Sequence, residues 1–491
     1  MAVSDMMRQT GAEWSWISAI AILMSVLGDH SFSFAPPLIQ GFSGRYYRCS
    51  IIGDLMKLKN FSLIISLFLA VLFEVGCSDV NQPTLSAPSP TRTVVSTPTA
   101  PATPTRVVIS GTVSIWHSFE DPYITALLRQ IDAFQKIYPD VHFDVTYIPN
   151  IDLKTSFIQA ASDGYAPSLL LGSGEWGPEL FDGKFITGIA GNVSAEALNN
   201  LNSASVDAAK YRGELIGLPI TVEGVVLYRN RDIISNSPST FSDLISLSQD
   251  AAQGDIIGAY LDRSYFYSGG HLEGLGGRLM DESGMPTFNN KQGLNWLELL
   301  QSFELAGPTD YFTDQDVQQF IDGRVGFVID STQRRTELVE GLGADRIVID
   351  PWPLYNDGHL SGFVTADNIY LTPRALDEKH GVSLRFAEYM ISPDSQSLFA
   401  ETGLIPAISG SPVILAGSGL RIDDPLISQA MFSLVEGAAY PVLPQAAMYQ
   451  NAMDIALQSV FNGFVTPEEA LQDAYDDIIS ALADSETTPT P

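Results

Sequence analysis

From residue 112 onward the apolar positions follow two alternating rhythms. Residues 112–116 form a short apolar-rich run that predicts a strand. Asp121-Pro122 then predicts a helix start, with the aspartate as N-cap and the proline in the first turn. Ile124, Leu127, Leu128, Ile131, Phe134 and Ile137 follow helical spacing and predict one buried stripe. After Pro139 the rhythm changes to alternation, placing Val141, Phe143, Val145 and Tyr147 on one face of a strand. Strand, helix and strand in that order predict a βαβ start with parallel pairing. Further strands are expected at residues 168–171, 224–228, 325–329 and 346–349, with a helical stripe at Leu294, Leu297, Leu300 and Phe303 between them. Thr466-Pro467-Glu468-Glu469 reads as a capping box with a first-turn proline, opening the last helix. The expected fold class is α/β with open sheets, in which ligands sit at the C-terminal ends of strands.

The chain before residue 107 is patterned differently. An apolar run at 61–73 follows Met56-Lys57-Leu58-Lys59-Asn60, the layout of an export signal. It falls short of the roughly 20 residues that cross a bilayer as a helix, which favours a removed signal; a stop-transfer span is the alternative. Residues 78–106 are dominated by Pro, Thr and Ser and read as an extended tether that cannot repay its ordering entropy. Another apolar patch, 14–27, has no domain attached, so residues 1–55 read as an upstream extension with Met56 as the start. A real N-terminal membrane helix is the competing reading. Residues 485–491 read as a disordered polar tail.

The chain has two cysteines, Cys49 and Cys77, so the body after the tether has none. That excludes a structural disulfide, a Cys-based metal site and a thiol nucleophile there. Roughly 380 residues follow the tether, which by the usual size prior makes two domains. The net charge of -31 opposes nucleic acid and anionic membrane surfaces and suits a neutral or cationic ligand. The short motifs of serine hydrolases, zincins and P-loops are absent, and the six histidines lack ligand spacing. No metal, cofactor or catalytic residue is expected. A glycosidase-type carboxylate pair is defined in space rather than in sequence, so an acidic chain offers such pairs by default. Aromatic and polar residues at strand ends carry more information. Trp116-His117-Ser118 and Gly172-Ser173-Gly174-Glu175-Trp176 each set an indole beside hydrogen-bonding groups, which suits a sugar's C–H face and hydroxyls. For both tryptophans packing within the domain is the competing reading.

Several stretches carry a family resemblance. GLPITVEGVVLYRNRD at 217–232, GRVGFVI at 323–329, AEYM through SP to GLIP between 387 and 406, and PQ through GFVTPEEAL between 444 and 471 occur in family order. Together they resemble the extracellular solute-binding proteins of ABC importers, in the maltose-binding group, over residues 107–484. Gly76-Cys77 is similar to the end of a lipobox, which implies lipidation of Cys77; Glu74 departs from the aliphatic residue usual three positions earlier. The resemblance implies a two-lobed periplasmic-binding-protein type II fold. Lobe one would be 107–221 plus 366–407 and lobe two 222–365 plus 408–484, with crossings near 221–224, 362–367 and 405–412.

The same resemblance implies site residues. Glu223 falls where a ligand-binding glutamate stands, with a lobe-to-lobe or cap contact as the competing reading, and Glu175 falls at a sugar-binding aspartate. Gln333, after Asp330-Ser331-Thr332, and Gln450, beside Tyr449, replace aromatic platforms. Ser264 replaces a glutamate, while Phe266 and Tyr267 bring aromatics to its loop. Trp352 and Tyr440 either line the cleft or pack, and Asp367-Asn368 either binds or braces the hinge. Loss of two stacking faces favours a smaller sugar or a sugar-like polyol. The implied protein is a lipid-anchored, extracellular or periplasmic monomer that captures a mono- or oligosaccharide and passes it to ABC permease subunits. A ligand sensor of the same fold and a secreted carbohydrate-active enzyme are the alternatives.

Overall fold

A computed structural model describes residues 108–487 except 190, 282, 311–313 and 379–380. All of these residues belong to one compact unit. The signal segment, Cys77, the tether and the upstream extension therefore lie outside the described residues.

Eight strands form the body of one mixed sheet: β1 (Ser110–His117), β2 (Asp140–Tyr147), β3 (Leu169–Ser173), β4 (Leu218–Asn230), β5 (Ile257–Asp262), β6 (Val325–Ser331), β7 (Ile347–Asp350) and β8 (Phe363–Leu371). Their order is β2-β1-β3-β8-β4-β6-β5, and two-residue strands at Thr309–Asp310 and Ala438–Ala439 extend it, pairing with β5 and β8. As the βαβ pattern predicts, β1 pairs parallel with β2 along its whole length and with β3 on its other side. The second group is built likewise, with β5 parallel to β6.

Two antiparallel strands join these groups. The first half of β4 pairs with β8 and its second half with β6 and β7. In turn β8 pairs with β3 through its C-terminal half, while Phe363 and Val364 reach Ala438 and Ala439. The chain thus passes between a first lobe and a second lobe inside the sheet. A third passage runs beside β4, where Val222 N–H donates to Ile405 O at 3.0 Å and Asn202 N–H to Ala407 O at 2.8 Å.

Neither β5 nor β8 is among the strands expected from the pattern, and β4 begins six residues earlier than expected. Strands buried on both faces lose the alternation that marks a half-exposed strand. Every residue of β5 except Ile257 is buried, and Asp367-Asn368 interrupts the apolar run of β8.

The helix Tyr123–Ile137 buries Leu127, Ile131 and Phe134, while Leu128 and Ile137 of its expected stripe are exposed. Its N-cap is Pro122, not Asp121; the aspartate instead accepts from Thr125 Oγ1 at 2.5 Å. The Thr466–Glu469 box forms as expected, with Glu469 N–H to Thr466 Oγ1 at 3.2 Å and Thr466 N–H to Glu469 Oε2 at 2.9 Å. The helix it opens, Pro467–Thr487, runs through the start of the tail expected from residue 485.

One apolar core lies under the first lobe and continues beneath one face of the second lobe's sheet, from Val113 and Phe134 to Val328 and Ile349. Another covers the opposite face of the second lobe, where Trp296, Phe288 and Tyr449 meet the C-terminal helices. A smaller one holds Leu153, Phe157, Leu170 and Tyr370.

Candidate functional site

The sheet register brings the two lobes' strand ends together. Asp367 of β8 lies opposite both Ser173, the last residue of β3, and Thr221 of β4. Ser331, the last residue of β6, lies opposite Val225, four residues further along β4. The loops that end the parallel strands of both lobes therefore converge on the crossing strands, where open α/β sheets place ligands.

Glu223 stands at the centre. Gln333, in the turn after β6, donates Nε2–H to its Oε2, and the Tyr123 hydroxyl lies 3.5 Å from its Oε1. Tyr123 comes from the first lobe's opening helix, and its hydroxyl is also 3.3 Å from Thr221 Oγ1. Thr221 in turn donates to Asp367 Oδ2 at 3.4 Å. Burial holds the Glu223 and Asp367 carboxyls above the usual carboxylate range; their mutual repulsion adds to this at Glu223, and the donors from Gln333 and Tyr123 oppose it. Burial, then the Asp367 and Glu223 charges, push the Tyr123 hydroxyl well above its usual range, so it stays protonated as a donor. Of this group the sequence marks Glu223, Gln333 and Asp367. Tyr123 escapes it because an aromatic in a helix's first turn reads as packing.

In the first lobe, Ser118 donates to Asn150 Oδ1 at 3.3 Å. Glu175 is exposed in the turn after β3, capped through Ser173. Trp176 is half-buried over Gly172, where a Cβ would come within 2.3 Å of its ring; it and Trp116 both pack against the small core around Leu170 and Tyr370. His117 corrects an expectation. It is buried, its Nδ1 accepts from Phe119 N–H at 3.0 Å, and its ring contacts Phe119 and Tyr147, so it braces the loop after β1. Burial lowers its pKa and keeps the imidazole neutral for that acceptor role.

In the second lobe, Phe266 and Tyr267 stand edge-on, 5.2 Å between centroids, and line a recess of about 260 Å³ with Asp262, Ser264, Asp314, Gln450 and Asp454. Ser264 and Gln450, the positions where the chain departs from the maltodextrin pattern, thus meet in one wall. Tyr440 closes its side, 5.8 Å from Phe266 and 3.0 Å from Gln450 Oε1. Burial, then the charge of nearby Asp330, raises the Tyr267 hydroxyl, and burial pushes the Asp330 carboxyl up to about 6. Ser331 is buried and uses its Oγ to cap Gln333 N–H at 3.2 Å. A larger recess, about 700 Å³ and lined by Arg278, Asp281, Thr287 and Gln292 among others, contains none of the crossing residues.

Trp352 and Tyr449 are two further corrections. Trp352 is 4% exposed in the second lobe's core, its ring 5.3 Å from His271. Tyr449 is 1% exposed and donates to Gly284 O at 2.6 Å. Both sit on segments near the site, but their backbones turn the rings into the core. Among the described residues no cluster of His, Cys, Asp and Glu has metal-binding geometry, and no helix is long and apolar enough to cross a membrane.

Residues 129–414 match the family model described as bacterial extracellular solute-binding protein. The chain belongs to this family. The solute-binding architecture recurs in solved structures. The cyclic alpha-maltosyl-1,6-maltose binding protein from Arthrobacter globiformis superposes at a TM-score of 0.66 with 16% identity, covering 76% of this chain and all of that one. The extracellular solute-binding protein from Staphylococcus aureus, in complex with maltose, gives 0.66 at 18% identity, covering 76% and 98%. The fold is thus the two-lobed one of maltose-binding proteins. Among relatives, the maltotriose-binding protein of Pyrococcus abyssi is 24% identical over 261 residues, 51% of this chain and 55% of its own length. The galactooligosaccharide-binding protein of Bacillus subtilis is 24% identical over 304 residues, 58% of this chain and 70% of that protein. This solute-binding chain therefore spans about half the length of the first relative it matches.

Proposed function

We propose that this protein is an extracellular, lipid-anchored binding protein that captures a small sugar by hinge closure and delivers it to an ABC permease. The observation that carries this reading is the placement of Glu223. It stands on a strand shared by both lobes and is reached by Tyr123 from one and Gln333 from the other. Carboxylates accept hydroxyl hydrogen bonds with two oxygens, and a ligand touching both lobes favours the closed arrangement. Glu175 on the first lobe and the Phe266–Tyr267 recess on the second supply further hydrogen-bonding and apolar contacts to a sugar. Relatives named as maltotriose-binding and galactooligosaccharide-binding proteins support a carbohydrate, and the Gln333 and Gln450 replacements support a short one. The reading includes no catalytic step, no cofactor and no oligomer. Cys77 is the lipidated residue in it, and residues 78–106 lift the body from the outer face of the membrane.

Isothermal titration of the full chain with mono-, di- and trisaccharides tests the ligand. Saturable binding with the sugar recovered intact is the expected result. Consumption of the sugar would replace the receptor with an enzyme, and binding of amino acids or peptides alone would overturn the carbohydrate.

A further inference from the structure

The Glu223 contacts are made from protein to protein, and they use both carboxylate oxygens. Tyr123 belongs to the first lobe's opening helix, which packs against β2 through Phe134 and Phe143; Gln333 belongs to the turn after β6 in the second lobe. Glu223 itself lies on β4, between the residues paired with β8 and those paired with β6. The connection is therefore serial: first lobe to crossing strand through Tyr123, crossing strand to second lobe through Gln333. Gln333 is exposed and its backbone is already fixed by the Ser331 cap, so its amide is not needed to hold its own turn. Tyr123 is held in place by Phe119, 4.8 Å between centroids, and by Thr221.

We propose that Tyr123 and Gln333 are positioning residues that, through Glu223, latch the two lobes without any sugar and so set how far the cleft closes before a ligand arrives. The assignment rests on the hinge-closure reading but not on the identity of the solute. A ligand hydroxyl that takes over a Glu223 oxygen replaces one arm of the latch, so part of the closure is in place in advance and binding costs less reorganisation.

The test is a distance measurement made with no sugar present. Nitroxides are attached at Ile151→Cys, on an exposed first-lobe residue, and Thr336→Cys, on an exposed second-lobe residue, in the full chain carrying Cys49→Ser and Cys77→Ser. Wild-type latch residues should give a dominant short inter-lobe distance. Gln333→Ala and Tyr123→Phe should each lower that population about tenfold, the loss expected for one hydrogen bond to a charged group. Because the arms act in series, the double variant should open no further than either single one, a non-additivity that mere loss of local packing does not produce. Urea midpoints within error of the parent establish that the variants are folded, and Gln333→Glu, which sets two carboxylates against each other, should open the cleft further. Unchanged distances in both single variants, or additive opening in the double one, would overturn the latch. Closure would then rest on other ties between the lobes, among them Arg335 to Gly403 O and Asn202 to Leu434 O. Failure of sugar titration leaves this measurement intact, so the two readings fail separately.

Discussion

Arg229 meets Asp350 as a two-pronged buried pair, Nε to Oδ2 at 2.6 Å and Nη2 to Oδ1 at 3.0 Å. The remaining groups are also satisfied: Arg229 Nη1 donates to Ile234 O and Ser237 to Asp350 Oδ1, each at 2.8 Å. The pair fastens β4 to β7 at the base of the second lobe, at the far end of the strand that carries Glu223. A pair this well bonded contributes little against apolar replacements of both partners, yet breaking it strands a charge in the core. Arg229→Met should therefore lose about 3–5 kcal/mol of unfolding free energy in urea, and Arg229→Met with Asp350→Leu should recover most of it.

Trp352 separates core from site. Its indole lies against His271, which burial holds neutral with a pKa of about 3, and Phe303 flanks the same imidazole. Trp352→Ala should cost about 3–5 kcal/mol through the cavity it leaves. Sugar affinity, read by titration on the folded fraction at low temperature, should stay within twofold of the parent.

The legible part of this protein was its periodic part. The β1-helix-β2 unit, the Leu297–Phe303 stripe and the Thr466 capping box announce themselves because each repeats a spacing or a local donor and acceptor pair. The crossing strand β8 does not, since half-buried Asp367 and buried Asn368 break its apolar run. Glu223, Gln333 and Phe266 were reachable through family order. Tyr123 and the carboxylates of Asp314 and Asp454 were not, because their proximity is made by the sheet order and leaves no mark in local spacing. Trp352 and Tyr449 misled for the complementary reason: sequence shows that a ring is near a site loop, while the backbone decides which way it points.

Asp330 gives the fold a pH signature. Its carboxyl sits at about 6 in the folded protein against an ordinary 3.8, chiefly from burial. A raised folded pKa means that the folded state binds the proton more tightly. The stability this confers is fully present below pH 3.8 and is lost as pH rises through 6. Glu223, Asp367 and Asp454 shift in the same direction for the same first cause. Unfolding free energy should therefore fall between pH 4 and 7. In Asp330→Asn that slope should flatten, leaving the variant more stable than the parent at pH 7 by on the order of 2 kcal/mol and level with it at pH 4. Urea titrations at four pH values read both quantities.

Glu175 and Glu223 should differ in how they lose ligand. Glu175 is exposed in the turn after β3, so Glu175→Gln removes a charged acceptor from the first lobe's contribution and leaves the hinge untouched. Charge-assisted hydrogen bonds are roughly twice as strong as neutral ones, and the variant should bind sugar about tenfold more weakly with an unchanged urea midpoint. Glu223→Gln alters the crossing itself: the amide keeps one acceptor oxygen and presents an NH₂ group to Tyr123 or Gln333. Its affinity should fall by more than the Glu175 variant's, and the inter-lobe distance without sugar should lengthen as well. Equal losses from the two substitutions, with the distance unmoved in both, would mean that Glu223 acts as one more hydroxyl acceptor and that the sugar alone draws the lobes together.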